Sequence, residues 1–543
     1  MDNAHSLEKG DDFDPKEQGT VTKQLQLSRE LKNRHVAMIS IGGVLGTGLF
    51  LGSATALRDA GPVGALLGYI FTGTIVYCVM ISVGEMITLL PIAGGPVNLA
   101  ERFVDPALGF AYGWCWMYTW TLALPAELSA AATLIDFWHP GVNNAVWITV
   151  CLAVAIAINM SGVGVYGESE FIFSSIKVIT IVVLIILGIV LDLGGGPTHD
   201  RIGFRYWKNP GPFVQYNGIQ GNTGRFIGWS RVCIQAAYSY AGTESVSMAA
   251  AETKNPRRNL PKAIQRVYFR ILVFYIGGVT IMGLLVPFDN PGLNLSASNA
   301  SASPFVIAIN NAGIKGLTSV INAALLTAAW SAASSDLYLS SRGLYGMATA
   351  GNAPKVFART IRGGFPYVAV SFCACFALLA YMSVSSASGE VFTWLSSFTG
   401  TANTWSWCAI GITYLRFRKG FRAQGIDESK LVYRSKLQPY AGWWVVIGTG
   451  LCLFVRFFSG YQVFLRDSWD TPTFITTYLP VVALPILWIG CKLIRKTKFI
   501  HAMDMDFVSG LAEIDALDVE EPPPKNWVER LWAWLVSIPF IWA

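Results

Sequence analysis

Residues 39–50 read Ile-Ser-Ile-Gly-Gly-Val-Leu-Gly-Thr-Gly-Leu-Phe, and residues 237–245 read Ala-Tyr-Ser-Tyr-Ala-Gly-Thr-Glu-Ser. Both stretches lie inside long apolar runs. In the first, Gly42, Gly43, Gly46 and Gly48 fall within seven residues, and each glycine costs a helix about 1 kcal/mol relative to alanine. Lipid supplies no water to amides freed by unwinding. A broken helix therefore survives in a bilayer only against a cavity or buried in protein. The second stretch sets Gly242 among hydroxyls and beside the ionisable Glu244. A close-packing glycine face is the alternative for the first stretch. A phosphate loop is disfavoured, since no lysine follows Gly48.

The composition frames this reading. Of 543 residues, 53% are hydrophobic and 14% charged, where soluble domains average about 25% charged. That argues against a soluble enzyme, a nucleic-acid binder and a disordered scaffold. The net charge of +6 sits in short basic clusters between apolar runs, as membrane topology requires. The nine cysteines lie in apolar stretches, so no disulfide framework is expected. The histidines have no ligand spacing, and no nucleophile–base pair appears, so neither a metal site nor an enzyme is expected.

Twelve apolar segments are long enough to cross a bilayer. They lie near 36–56, 63–90, 108–135, 145–161, 171–191, 226–250, 267–286, 304–333, 367–384, 391–415, 441–459 and 473–492. The expected class is an all-α integral membrane protein with twelve transmembrane helices. An even number of spans puts both termini on one side. Lys and Arg assign that side to the cytosol: Lys23 to Arg34, Lys254 to Arg270, Arg342 to Arg362 and Arg416 to Lys436 all fall there. The sequons at Asn294 and Asn299 fall outside. The chain then divides into a cytosolic tail (1–33), a ten-helix core (34–415), a basic loop (416–440), two accessory helices (441–492) and a C-terminal tail (493–543). The breaks fall in spans one and six, five apart. Such a pair in corresponding positions is the mark of an inverted-repeat transporter, with its site near the midplane.

Broken helices bind zwitterions without charged side chains. A helix start offers free N–H groups and about half a positive charge, and an unwound end offers carbonyls. Here the amides of Gly46, Thr47 and Gly48 would take a carboxylate. Carbonyls near Ser40, Ile41, Tyr238 and Ala241 would take an ammonium, with Ser239 between them. Tyr238 and Tyr240 are candidates for an aromatic lid.

Residues 41–50, Ile-Gly-Gly-Val-Leu-Gly-Thr-Gly-Leu-Phe, resemble the first span of the fungal amino-acid permeases, a branch of the amino acid–polyamine–organocation superfamily. Further similar pieces are Gly84-Glu-Met86, Arg102-Phe-Val-Asp-Pro-Ala107, Ala241-Gly-Thr-Glu244, Ala251-Glu-Thr-Lys-Asn-Pro-Arg-Arg258 and Ser334-Ser-Asp-Leu-Tyr338. The resemblance covers roughly residues 28–500. It implies a leucine-transporter-type five-plus-five inverted repeat with two extra helices. It also implies proton-coupled import of L-amino acids at the plasma membrane, with the proton as coupling ion and no other cofactor. The implied partners are the amino-acid substrate and the bilayer, with trafficking and ubiquitin machinery at the cytosolic tails and no nucleic acid. An uncoupled amino-acid or polyamine exchanger, or a nutrient-sensing receptor of the same fold, is the alternative.

Ionisable residues inside spans are costly and mark function. Lys177 in span five resembles, in proton-coupled relatives, a stand-in for the sodium of sodium-coupled cousins. It would bridge carbonyls near Gly42 and the hydroxyls of Ser334 and Ser335. Glu244, just past the second break, is a candidate proton carrier or an anchor for the unwound segment. Glu127 in span three is a candidate for substrate selection or proton tuning. Glu85, Arg102 and Arg342 are candidates for an inner gate, with solvated pairs as the alternative.

Overall fold

Apolar runs become helices in this chain, and glycine and proline decide where most of them stop. The computed structural model describes residues 45–92, 94–138, 141–248, 256–295, 303–314, 316–361, 365–459 and 471–509. Ser40, Ile41, the tail 1–33, Asn299 and the end of the C-terminal tail lie outside the described residues. Helix α1 (Thr47–Phe50) follows an extended Gly46 and passes through a helical Leu51 into α2 (Gly52–Leu89). That helix kinks at Gly61, where φ is 76° and Pro62 follows. Proline has no amide for the preceding turn, so α2 has two limbs, one ending at Ala60 and one starting at Pro62.

The amphipathic α3 (Gly95–Phe103) leads to α4 (Pro106–Asp136), capped by the Asp105 carboxylate on the Ala107 amide. Next come α5 (Asn144–Met160) and α6 (Val163–Asp192). Helix α7 (Gly221–Ser239) gives way to a turn at 240–244, then α8 (Ser245–Met248). Helix α9 (Pro256–Arg270) widens into π geometry over Ile271–Gly277 and continues as α10 (Gly278–Leu285). After α11 (Pro304–Asn311) come α12 (Leu317–Thr349) and α13 (Tyr367–Phe376), which tightens to a 3-10 helix over Ala377–Val384. The last are α14 (Ser388–Ala423), α15 (Tyr440–Ser459) and α16 (Thr471–Arg495).

One expected segment is redrawn. The apolar run 304–333 is not a single rod: Gly313 and Gly316, with φ of 74° and 87°, separate the short α11 from α12. The long helix then extends to Thr349. Among the described residues the only β pairing is an isolated bridge between Ile361 and Phe365. Among the described residues, seven helices are apolar and long enough to cross a membrane: Thr47–Leu89, Gly164–Asp192, Val267–Leu285, Leu317–Thr349, Tyr367–Val384, Tyr440–Phe457 and Thr471–Arg495.

Helix α4 is the centre of the bundle, with α12 and α14 along its length. Helix α7 packs on both α2 and α14, while α15 and α16 pack from outside on α14. The outermost helices expose large apolar side chains, such as Ile172, Ile179 and Ile186 on α6 and Ile486, Ile489 and Leu493 on α16. A water-soluble surface rarely carries so wide an apolar patch, and a bilayer accommodates it.

Candidate functional site

The start of α1 and the turn after α7 meet because glycine lets them. A Cβ on Gly48 would stand 2.7 Å from the Ser239 Cα, so only glycine admits this crossing of backbones. At the turn, Gly242 has φ 84°, the left-handed region that favours glycine, and the Trp120 ring lies over it. Thr243 donates its amide to Tyr240 and Ser245 to Gly242, so the turn is closed locally rather than by helix.

Beside this crossing is a partly open cavity where several helices meet. Gly46 and Gly48 form one wall, and Tyr238, Ser239, Ala241, Gly242 and Ser245 another. Helix α4 adds Trp120, Ala123 and Glu127, α6 adds Tyr166, and α14 adds Thr399. Helix α12 closes it with Ala332, Ser335, Asp336, Tyr338 and Leu339.

Glu127 ties this site together. Its carboxylate, 5% exposed, accepts Thr47 Oγ1–H at 2.8 Å and Tyr238 O–H at 2.9 Å. The Thr47 amide also faces it. One carboxylate thus bonds the start of α1 and the end of α7. Asp336, also 5% exposed, has Oδ2 buried with no hydrogen-bond partner, in the cavity wall.

Behind this wall lies a third carboxylate that the reading of the sequence did not single out. Glu170 is 2% exposed and accepts the hydroxyls of Ser174 at 2.9 Å, Ser331 at 2.8 Å and Ser335 at 3.1 Å. Lys177 Nζ lies 3.7 Å from its Oε1. Lys177 therefore meets Glu170 rather than the serines directly, and Ser335 connects the pair to the cavity. Gly42, its other expected partner, lies outside the described residues. Tyr166, Glu170, Ser174 and Lys177 recur at helical spacing through an apolar helix, a polar stripe that could have revealed Glu170.

Other expected residues stand elsewhere. Tyr240 is fully buried away from the cavity, its hydroxyl donated to the Tyr69 carbonyl at 3.2 Å and its ring on Tyr275 at 4.2 Å. Glu244 is fully buried and accepts Trp407 Nε1–H at 3.1 Å, which anchors the turn to α14. Arg270 donates to Thr243 Oγ1 at 2.8 Å from the other side. Glu85, Arg102 and Arg342 do not meet. Glu85 accepts from Tyr414 and the Ser435 amide, and Arg102 pairs with Asp506. Arg342 sits 4.2 Å over the Tyr338 ring, which stacks on Tyr166 at 4.1 Å. That column of one guanidinium and two rings borders the cavity.

Residues 35–502 match the amino acid permease family. The dicarboxylic amino acid permease of Saccharomyces cerevisiae is 42% identical over 507 residues, covering 92% of this chain and 83% of that one. The proline-specific permease of Emericella nidulans is 40% identical over 533 residues, 96% of each chain. A general amino-acid permease of Candida albicans is 40% identical over 524 residues, 96% of this chain and 87% of that one. Among solved structures, the Eremococcus coleocola manganese transporter superposes with a TM-score of 0.53 at 11% identity, covering 90% of this chain and 97% of its own. That last likeness is one of fold alone. The apolar helices and these relatives make this an integral membrane protein, and the chain belongs to the amino acid permease family.

Proposed function

We propose that this chain is a secondary active permease that imports L-amino acids together with protons by alternating access. In this reading twelve helices cross the plasma membrane and both termini are cytosolic. Residues 34–415 form the inverted-repeat core, interrupted near Gly46 and Gly242, and residues 441–492 add two accessory helices. The tails are where trafficking machinery would act. Sidedness is supported by the basic end of the bundle, where Arg102, Arg416, Arg418 and Arg422 gather around the docked segment 500–509 and the Glu428 turn.

One observation carries the proposal: a single buried carboxylate, Glu127, holds both the start of α1 and the end of α7. Ionised, it satisfies the positive end of α1 itself. Protonated, it yields that end to the α-carboxylate of an amino acid. Proton and substrate then favour each other's binding by the same factor. The ammonium is met by turn carbonyls near Tyr238 and Ala241 and by Asp336. The Arg342–Tyr338–Tyr166 column lies between the cavity and the basic end, since α12 runs on past Arg342 to Thr349 and the chain beyond it reaches Asn352, which donates to the Glu101 carboxylate at 3.3 Å. Its unstacking is the inner opening.

The test is uptake by the full-length chain in a fungal strain lacking its own amino-acid permeases, with an imposed inward proton gradient. Wild type accumulates substrate uphill. Glu127→Gln is isosteric but cannot titrate; its amide oxygen accepts one hydroxyl and its NH2 donates to the other, so it exchanges substrate yet loses uphill accumulation, with pH dependence flattened about tenfold. Undiminished, equally pH-dependent accumulation by E127Q overturns the coupling scheme. A second reading, an uncoupled exchanger, is favoured by Lys177: with Glu170 already beside it, it can serve as a fixed charge. Uphill uptake under a pH gradient alone separates the two. The names of the relatives differ in substrate, so family membership leaves the cargo open.

A further inference from the structure

The titratable groups around the central cavity do not balance in charge. Glu127 of α4, Asp336 of α12, and Glu170 and Lys177 of α6 are each no more than 5% exposed. Lys177 is near enough to Glu127 for their charges to interact, and Glu127, Lys177 and Glu170 all act on Asp336. The other helices packed on α6, which are α5, α10 and α11, carry no acidic or basic side chain. Arg342 stands apart, across the Tyr338 and Tyr166 rings and partly exposed. Among the described residues the buried centre thus holds three carboxyl groups and one ammonium. A buried net charge is costly, and the centre is neutral when two of the three carboxyl groups carry protons.

Glu170 is joined to the cavity by hydroxyl groups. Its Oε1 faces Lys177 at 3.7 Å and accepts the Ser174 hydroxyl at 2.9 Å. Its Oε2 accepts Ser331 at 2.8 Å and Ser335 at 3.1 Å. Of these two serines, Ser335 stands in the cavity wall, and it accepts the hydroxyl of Tyr166, another wall residue, at 3.1 Å. Tyr166, Ser335 and Glu170 Oε2 therefore form one chain in which each hydroxyl donates to the next oxygen. A hydroxyl can accept one proton while giving up another. A proton that joins the Tyr166 oxygen from the cavity lets Tyr166 pass its own to Ser335, and Ser335 pass its own to Glu170. One proton enters, one O–H bond forms on the carboxylate, and both hydroxyls are left whole.

We infer that the centre takes up two protons with each cargo, one on Glu127 and a second that reaches Glu170 through the Ser335 hydroxyl. This rests on the proton-coupled reading above and adds a second proton to it. With Glu127 and Glu170 protonated, the Asp336 carboxylate and the Lys177 ammonium remain and offset each other. A zwitterion brings no net charge, so its ammonium meets Asp336 without unbalancing the centre. Glu127 bonds both the start of α1 and the end of α7, so it ties protons to cargo. The second proton adds driving force to that tie, and without Glu127 neither proton is linked to the cargo. Buried carboxylates joined by hydroxyls are the usual material of proton paths in membranes.

The experiment puts the purified full-length chain into lipid vesicles with the membrane potential clamped at zero and a pH gradient of about one unit. The common amino acids are offered in turn, and the limiting accumulation is read for the one taken up fastest. Each coupled proton is worth a factor of about ten per pH unit, so the unaltered chain reaches about a hundredfold. Ser335→Ala falls to about tenfold, while Ser335→Thr, which keeps the hydroxyl, stays near a hundredfold. Ser331→Ala removes a bond to the same Glu170 oxygen but not the chain to the cavity, so it slows uptake and keeps the higher limit. The limit reports stoichiometry rather than rate, so a merely structural role for Ser335 would not move it. If S335A does not survive purification, Glu170→Gln, which resembles the protonated carboxyl, is expected at about tenfold as well. A hundredfold limit in S335A or E170Q overturns the path. A limit of about tenfold in the unaltered chain overturns the second proton and leaves coupling to one proton standing. No accumulation by the unaltered chain overturns the proton-coupled reading instead.

Discussion

The central cavity and a smaller outer chamber, lined by Thr55 and Asp59 of α2 and by Arg231 and Gln235 of α7, place their charges differently. In the centre, the start of α1 and the end of α7 contribute backbone and small polar groups: Gly46, Gly48, Ser239 and Gly242. The carboxylates come from α4 and α12, as Glu127 and Asp336. In the smaller chamber Asp59 of α2 and Arg231 of α7 carry full charges and pair with each other at 3.0 Å. Partial charges on amides and carbonyls hold a zwitterion weakly enough to release it. The difference is between a site of backbone and hydroxyl groups with carboxylates in its wall and a site whose opposite charges answer each other.

The strongest way to break this contrast is to remove the cation behind the central cavity. Lys177 and Glu170 are both almost wholly buried, and removing one partner of a buried pair costs about 3–5 kcal/mol. Lys177→Met is expected to unfold in detergent at a markedly lower temperature and to lose pH-driven accumulation. Adding Glu170→Gln should recover much of the stability but not the accumulation, as a double-mutant cycle would report. If K177M alone were as stable as wild type, the centre would not depend on charge balance, and the contrast with the outer chamber would fail.

The next effect separates the two cavities by four residues. An alanine at Gly48 puts Cβ 2.7 Å from backbone at Ser239, whereas one at Gly52 meets the far end of the Gln235 side chain at 2.0 Å. Backbone cannot step aside, and a side-chain amide can. Gly48→Ala is expected to cost about 1–3 kcal/mol at the crossing and to reduce uptake at least about tenfold. Gly52→Ala should keep most uptake, because Gln235 swings toward the outer chamber. Uptake rates normalised to surface protein check both. Equal losses would mean that the crossing is no tighter in the centre than one turn above it.

Much of this arrangement was legible before any coordinates. The glycines at 46 and 48 and the one at 242 mark the crossing because only a helix that must break or touch backbone keeps such residues inside an apolar run. Glu127 is visible as a carboxylate in mid-span. Among the described residues most of the apolar segments are helical, but 226–250 is interrupted at 240–244 and 304–333 is divided at Gly313 and Gly316. Those two glycines read as tolerable inside a long apolar stretch, and only the backbone shows their positive φ. Glu170 was hidden for a different reason. Its partner Lys177 is seven residues away and draws attention to itself, whereas the serines that satisfy Glu170 come mostly from α12, far along the chain. The same holds for Arg231 and Arg456, which lie on helices α7 and α15. Local pattern reveals which residues are unusual. It does not reveal which unusual residues from distant helices share a wall, as Tyr240 illustrates by turning from the cavity toward Tyr69 and Tyr275.

The smallest effect is expected where charge is exposed. At the basic end of the bundle, segment 500–509 docks on α3 and α14. Ile500 donates its amide to the Val104 carbonyl at 3.0 Å, and Phe507 stacks on Phe103 at 5.0 Å. Arg102 reaches the Asp506 carboxylate at 2.9 Å, while the Val508 and Ser509 amides each donate to that carboxylate at 2.9 Å. Partial burial disfavours the charged form of Asp506, but the hydrogen bonds from Ser509 and Val508 and the charge of Arg102 outweigh it and hold its carboxyl well below the usual carboxylate range. A depressed pKa gives stability that is fully present above the unfolded value, near 4, and lost only as pH falls through the lower folded value. The contact is therefore constant between about pH 5 and 8. Asp506 is 45% exposed, so solvent screens the pair. Arg102→Ala is expected to cost no more than about 1 kcal/mol, unchanged across that pH range, as thermal unfolding at pH 5 and pH 8 would show. A larger loss that grew on acidification within this window would mean that an exposed pair behaves like the buried Lys177–Glu170 pair. Depth in the bundle would then cease to explain why the buried pair is the costlier one to break.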